Sequence, residues 1–269
     1  MSRKIGFIGA GNMGGALIKG LVTSRKVTPD QITAADASES RLKSLSQEFG
    51  IVTTTDNLAL AQTSEVIVLA VKPGVVKPVL LDIRAEIPKG KLVISVAAGI
   101  TIDFISSFLD MGVRIIRAMP NTPALIQAGA VGLSIGPKVP PEDVDLAKML
   151  FGSIGLTVVV GESMMDAVTG LSGSGPGYVF LIIEALTDAG VKMGLNRADA
   201  QVLACQTLYG SAKLMLETGE HPAKLKDMVT SPGGTTMAGL HELEKSGIRG
   251  TIISAVEAAT LRSRELSRG

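Results

Sequence analysis

Aromatic side chains are scarce in this chain. They make up 3% of its 269 residues, and tryptophan is absent. The core must therefore be built from aliphatic residues, alanine and methionine; hydrophobic residues reach 46%, enough for a sizeable one. A single cysteine, Cys205, excludes an intrachain disulfide and a cysteine-based metal site; it is read as a small core residue. Two histidines without an H-E-x-x-H pattern offer little to a transition metal, so none is expected. His221 precedes Pro222 and reads as a helix start, and His241 beside Glu242 and Glu244 reads as surface. The net charge is +1, and no basic stripe is interleaved with aromatics, so no nucleic-acid partner is expected. No apolar run approaches the ~20 residues of a membrane span. Arg3 and Lys4 ahead of apolar residues imitate a secretory signal, but Asn12 and Lys19 interrupt the run. The expectation is a soluble cytoplasmic protein with no membrane partner. No internal repeat and no Pro/Ser-rich linker occurs, and the 31 glycines cluster at turns.

What is present begins at Lys4. A short apolar strand, Ile5–Ile8, runs into Gly9-Ala10-Gly11-Asn12-Met13-Gly14 and then a helix over Asn12–Thr23. This is G-x-G-x-x-G in the strand–turn–helix context that gives it meaning. Gly9 allows the tight turn, Gly11 lets a pyrophosphate approach the backbone, and Gly14 lets helix and strand pack closely. The N–H groups of the helix start then face the anion. A strand at Ile32–Ala35 follows, ending at Asp36, then a helix over Glu39–Phe49 closed by Gly50. An uninterrupted apolar run at residues 66–71 reads as a strand covered on both faces, and residues 92–96 and 113–118 are read in the same way. Strands at residues 130–135 and 156–160 flank an acidic helix over Pro141–Phe151. Alternating strands and helices predict an α/β fold with a parallel, doubly wound sheet.

After Gly161 the pattern changes to helices. Residues 164–193 are apolar around most of their circumference, broken only at residues 172–177. Residues 197–216, 225–229, 236–245 and 250–266 follow as further helices. A helix that is apolar nearly all round must be buried on several sides, and a domain of about a hundred residues cannot bury so much within itself. The boundary is therefore drawn between a dinucleotide-binding domain, residues 1–162, and an all-α domain, residues 163–269, that packs against another copy.

An acidic residue about 20 residues past the glycines grips the adenine ribose in dinucleotide folds. Asp36 stands there and favours NAD, whereas Ser38, Ser40 and Arg41 could instead hold a 2′-phosphate. Asp36 is equally suited to a turn or helix cap, and the choice between NADH and NADPH stays open. Two further loops leave strand ends, where ligands collect: Ala70-Val71-Lys72-Pro73 and Ala118-Met119-Pro120-Asn121-Thr122-Pro123. Lys72 reads as a contact to cofactor phosphate or ribose, or as a solvated lysine. Asn121 offers amide groups to a ligand, or belongs to a structural proline turn. Near the other end, Ser231-Pro232-Gly233-Gly234-Thr235-Thr236 forms a loop entering a helix. Its backbone N–H groups and hydroxyls suit a carboxylate-bearing substrate or a plain helix cap.

These stretches together resemble the pyrroline-5-carboxylate reductase family. The resemblance rests on GFIGAGNMG at the start, AVKP at 70–73, MPNTPA at 119–124, LSGSGP at 171–176, VTSPGGTT at 229–236 and the ending VEAATLRSREL. It spans nearly the whole chain. Gly177 stands where the family more often has alanine, and Asp36 where NADP-preferring members often have a neutral or basic residue. The resemblance implies a Rossmann-type domain followed by a helical dimerisation domain, a homodimer with a decamer as a further assembly, and NADPH or NADH as cofactor. It also implies an active site between the cofactor and the second domain, to which the partner subunit contributes. The reaction implied is reduction of 1-pyrroline-5-carboxylate to L-proline, the last step of proline biosynthesis. Thr236 resembles the threonine that hydrogen-bonds the ring nitrogen and is the expected catalytic residue; Ser231, Gly234 and Thr235 match the loop that holds the carboxylate. Expected cofactor contacts are Gly9, Gly11, Asn12, Met13, Gly14, Asp36, Asn57, Val71, Lys72, Ala97, Met119, Pro120 and Asn121. The scarcity of histidine agrees with imine chemistry. A cyclic imine is basic enough to take its proton from solvent, so the protein mainly aligns the reactants. A β-hydroxyacid dehydrogenase shares the G-x-x-G-x-G from Gly170 to Gly175, but it needs a lysine four residues on, where Val179 stands. A non-catalytic dinucleotide sensor would have no need of the Ser231–Thr236 anion loop.

Overall fold

Short, largely apolar segments form the inner strands of an eight-stranded sheet in a computed structural model describing residues 3–268. β1 (Ile5–Ile8), β4 (Val66–Leu69) and β5 (Leu92–Ser95) are buried along their whole length. β2 (Ile32–Ala35), β3 (Val52–Thr54), β6 (Arg114–Met119), β7 (Gly129–Ile135) and β8 (Gly155–Val159) complete the order β3-β2-β1-β4-β5-β6-β7-β8. Successive side chains point to opposite faces. Phe7, Val68, Ile94 and Ile116 enter one core, roofed by Leu17 of α1 (Asn12–Thr23), Leu42 of α2 (Glu39–Phe49) and Leu150 of α6 (Pro141–Phe151). Ile8, Ile67, Val93 and Ile115 enter the other, under Leu60 of α3 (Asn57–Thr63), Leu80 of α4 (Pro73–Ile83) and Ile105 of α5 (Ile102–Ser106).

The doubly wound sheet expected from the sequence is present, with one reversal. All neighbours run parallel except β6 and β7, where Met119 lies opposite Gly132. The link between those strands holds only the 3-10 turn Thr122–Ile126, too short for a crossover helix. β4 stops at Leu69 rather than running to Val71, and β5 at Ser95 rather than Val96. In both places the chain turns off the sheet into the loop that follows.

Charged side chains tie elements of the sheet to their helices. Asp143, in the first turn of α6 and fully buried, pairs with Arg3 and, at 2.7 Å, with Arg114. Arg117 of β6, also buried, meets Glu162 at 3.0 Å, and the same carboxylate oxygen accepts from the Ile102 N–H at 3.2 Å.

From Glu162 onward the chain is helical. The 3-10 turn Glu162–Met164 leads into α7 (Met165–Val168), a π-helical turn Thr169–Gly173, α8 (Gly175–Lys192) and α9 (Arg197–Thr218). α10 (Pro222–Met228), α11 (Thr235–Lys245) and α12 (Ile248–Arg268) follow. The interruption expected at residues 172–177 is this π turn: the Ser174 N–H donates to the Thr169 carbonyl at 2.8 Å, and helix resumes at Gly175.

The chain forms two compact units. The first runs to Ser174 and resumes at Ala258; the second is Gly175–Glu257. Within the first, Ser263 Oγ of α12 donates to Asp166 Oδ1 at 2.7 Å. Gly99, at φ +75°, lies so near that a Cβ there would be 3.5 Å from Ser267 Oγ. Within the second, α8 and α9 bury only Thr187, Ala200 and Ala204. None of the described helices is long and apolar enough to cross a membrane.

Candidate active site

β2, β1, β4 and β5 end in register, Ala35 beside Ile8, Ile8 beside Leu69 and Leu69 beside Ser95. The loops that follow them leave from one edge of the sheet, where open α/β folds bind ligands. Gly9 takes φ +102°, and a Cβ there would fall 2.5 Å from the Ala70 carbonyl oxygen. A Cβ on Gly14 would come within 2.1 Å of the Gly9 oxygen, so Gly14 seals the underside of the turn. Gly11 differs: the nearest atom to a Cβ there is Arg41 Nη1, at 3.3 Å. Gly11 is also the N-cap of α1 and supplies no side-chain hydrogen bond. The first N–H groups of the helix are left for a ligand.

A cleft of about 560 Å³ opens over this turn. Of the residues expected to hold a cofactor, it is lined by Gly9, Gly11, Asn12, Met13, Asp36, Asn57, Val71, Lys72 and Ala97. Gly14, Met119, Pro120 and Asn121 do not line it. Arg41, Pro73, Val75 and Ala98 do. No motif marks Val75 or Ala98; the only signal is their position just past the ends of β4 and β5.

Asp36 has two backbone partners. Its Oδ2 accepts from the Ala10 N–H at 2.7 Å and its Oδ1 from the Ser38 N–H at 2.9 Å. The carboxylate thus ties the glycine turn to the end of β2 while still facing the cleft. Asn57 opens α3 beside Asp56, whose Oδ1 accepts from Leu58 and Ala59 N–H groups at 2.8 and 3.1 Å. Lys72 is the N-cap of α4, at ψ 149°, and its side chain takes no part in capping. A nicotinamide dinucleotide fits these features: an uncapped helix start and a Cβ-free glycine for the pyrophosphate, a carboxylate at the ribose end, and Arg41 and Lys72 as cationic walls.

Ser231–Thr236 lies in the second unit and runs into α11. The Gly234 N–H donates to the Ser231 carbonyl at 3.0 Å, Gly233 takes φ +67°, and a Cβ on Gly234 would sit 2.4 Å from Ser231 Oγ. The serine hydroxyl therefore occupies the space a side chain would need. Gly234 caps α11 without a side-chain bond, and Thr235 and Thr236 are its first helical residues. A helix start without a side-chain cap, flanked by hydroxyls, has the donor chemistry that suits a small anion. His221 caps α10, its Nδ1 accepting from the Ala223 N–H at 3.2 Å.

A mostly parallel sheet with a glycine-turn cleft, followed in the chain by a helical segment, is the plan of an NAD(P)-dependent oxidoreductase. Residues 4–99 match the family described as NADP oxidoreductase, coenzyme F420-dependent, and residues 162–266 the family described as pyrroline-5-carboxylate reductase dimerisation. The pyrroline-5-carboxylate reductase of Methanosarcina acetivorans is 47% identical over 267 residues, 99% of each chain. The solved structure of the Coxiella burnetii reductase superposes with a TM-score of 0.96 at 38% identity, covering 99% of both chains. That of the Plasmodium falciparum enzyme with NADP bound superposes at 0.86 and 34%, covering 98% of both. The chain belongs to the pyrroline-5-carboxylate reductase family, and its helical segment is a dimerisation domain.

Proposed function

We propose that this chain reduces 1-pyrroline-5-carboxylate to L-proline, the last step of proline biosynthesis, with NADPH or NADH as reductant. The observation that carries the reading is full-length membership of the family with both the glycine turn and the Ser231–Thr236 loop intact. Gly9, Gly11, Asn12, Met13 and Gly14 would form the pyrophosphate cradle; Asp36 and Asn57 would hold the adenosine end, and Val71, Lys72 and Ala97 the rest of its path. The reduced nicotinamide supplies the hydride. Ser231, Gly234 and Thr235 bind the substrate carboxylate, and the Thr236 hydroxyl steadies the ring nitrogen. Carbon 5 gains the hydride as the C=N π electrons move to nitrogen, which carries a proton taken from solvent. Alignment is then the main contribution of the protein, and no histidine or lysine acid is required. The enzyme works in the cytoplasm as a homodimer joined through residues 163–269, and a decamer is its larger assembly.

The test is NAD(P)H oxidation in the presence of pyrroline-5-carboxylate, followed at 340 nm. The reading expects proline formed in step with NAD(P)H consumed. Thr236→Ala is expected to lower kcat by about tenfold or more, the loss of one hydrogen bond to a charged group, with dinucleotide Kd unchanged. A purified wild-type chain that binds NADPH but leaves the imine intact would refute the assignment.

A further inference from the structure

Asn121 belongs to a motif that reads as cofactor-binding, yet both polar atoms of its carboxamide are used within the first unit. Nδ2 donates to the Ser172 carbonyl at 2.9 Å, and Oδ1 accepts from the Ala130 N–H at 2.9 Å. The Ser172 carbonyl can only accept and the Ala130 N–H can only donate, so a single orientation of the amide serves both. The reason Ser172 needs a donor is legible four residues on. The helical partner of its carbonyl would be the N–H of residue 176, and residue 176 is proline, which has none. Asn121 supplies the missing donor. Its partner lies in the π turn Thr169–Gly173, the last element before the chain passes into the second unit at Gly175. The turn also sits hard against the end of β6: a Cβ on Gly173 would lie 2.8 Å from Met119 Cε. π turns of this kind recur at functional sites.

We propose that Asn121 is a positioning residue for the reduction. Its carboxamide pins the π turn to the end of β6 and so fixes where that turn stands within the first unit. The inference rests on the proposed function: a reaction that works by alignment is sensitive to the placement of that turn, whereas dinucleotide affinity is not.

Asn121→Asp keeps the acceptor for Ala130 and loses the donor for Ser172; Asn121→Ala loses both. Hydrogen exchange of residues 169–175 is expected to quicken in both variants, and that of residue 130 only in Asn121→Ala. In Asn121→Asp, kcat/KM for the imine is expected to fall by about tenfold, the scale of one lost hydrogen bond, with NADPH Kd unchanged. Pro176→Ala, which gives the Ser172 carbonyl a helical N–H, is expected to restore part of the loss in Asn121→Asp. An NADPH Kd that rises in step with the loss of rate would make Asn121 a direct ligand and overturn the proposal. Unaltered exchange at residues 169–175, or faster exchange with unaltered imine kinetics, would overturn it equally. A wild-type chain that binds NADPH without reducing the imine sinks the proposed function instead, while the exchange data still decide the pinning.

Discussion

At the scale of single residues, the glycine turn is the most legible part of the chain, because Gly9 and Gly14 answer local steric demands and Gly11 leaves the helix start open. Gly9→Ala would place a methyl group 2.5 Å from the Ala70 oxygen at φ +102°. The expected outcome is loss of NADPH binding by calorimetry along with a loss of stability of about 2–3 kcal/mol, the scale of left-handed strain plus a clash. Asp36 was legible by its distance from the glycines, and both readings of it survive in one side chain that faces the cleft and also accepts two backbone N–H groups. Asp36→Ala removes a negative charge beside the ribose end, so the ratio of NADPH to NADH affinity is expected to rise. A loosened glycine turn should weaken both cofactors at the same time. Titration with each nucleotide checks this; an unaltered ratio would leave Asp36 as a turn residue alone. The second partner of Asn121 was not legible, since Ser172 lies 51 positions away and only the folded chain brings it near.

Among elements, those bounded by strong signals were read within a residue or two, and short ones were not. Gly50, at φ +69°, closes α2 where the sequence ends it. α4 escaped reading because it begins at Pro73 and contains Pro78, residues that read as loop. Pro73 sits where its missing N–H is harmless, in the first helical turn. β3, with one exposed and two half-buried residues, has no apolar run to announce it. The reversal of β7 depends on the length of the link from β6, which periodicity does not report. Asp143 is the clearest prediction at this scale. It reads as one more acid in an acidic helix, yet it is fully buried between Arg3 and Arg114. Asp143→Ala is expected to lower stability by about 3 kcal/mol, the low end for breaking a buried pair because both arginines reach water. Urea unfolding measures the loss.

For the whole molecule, the decisive property is that the second unit lacks a core of its own. Phe180, Leu181, Val202 and Leu203 on α8 and α9 are each more than half exposed in a single chain. The sequence carried this directly, as helices apolar nearly all round, and the dimerisation family spans the same residues. Light scattering is expected to return at least twice the single-chain mass of 27.8 kDa. Leu181→Glu, a charge placed on that apolar surface, is expected to shift the mass downward. The path of the chain carries a consequence of another kind. Asp166 precedes the second unit in the chain, but its Ser263 partner follows it, in the segment from Ala258 onward. Synthesis runs in one direction, so residues 175–257 are all made between the two partners of that hydrogen bond. The nucleotide-binding half can close this contact only after the whole of the other half has been synthesised.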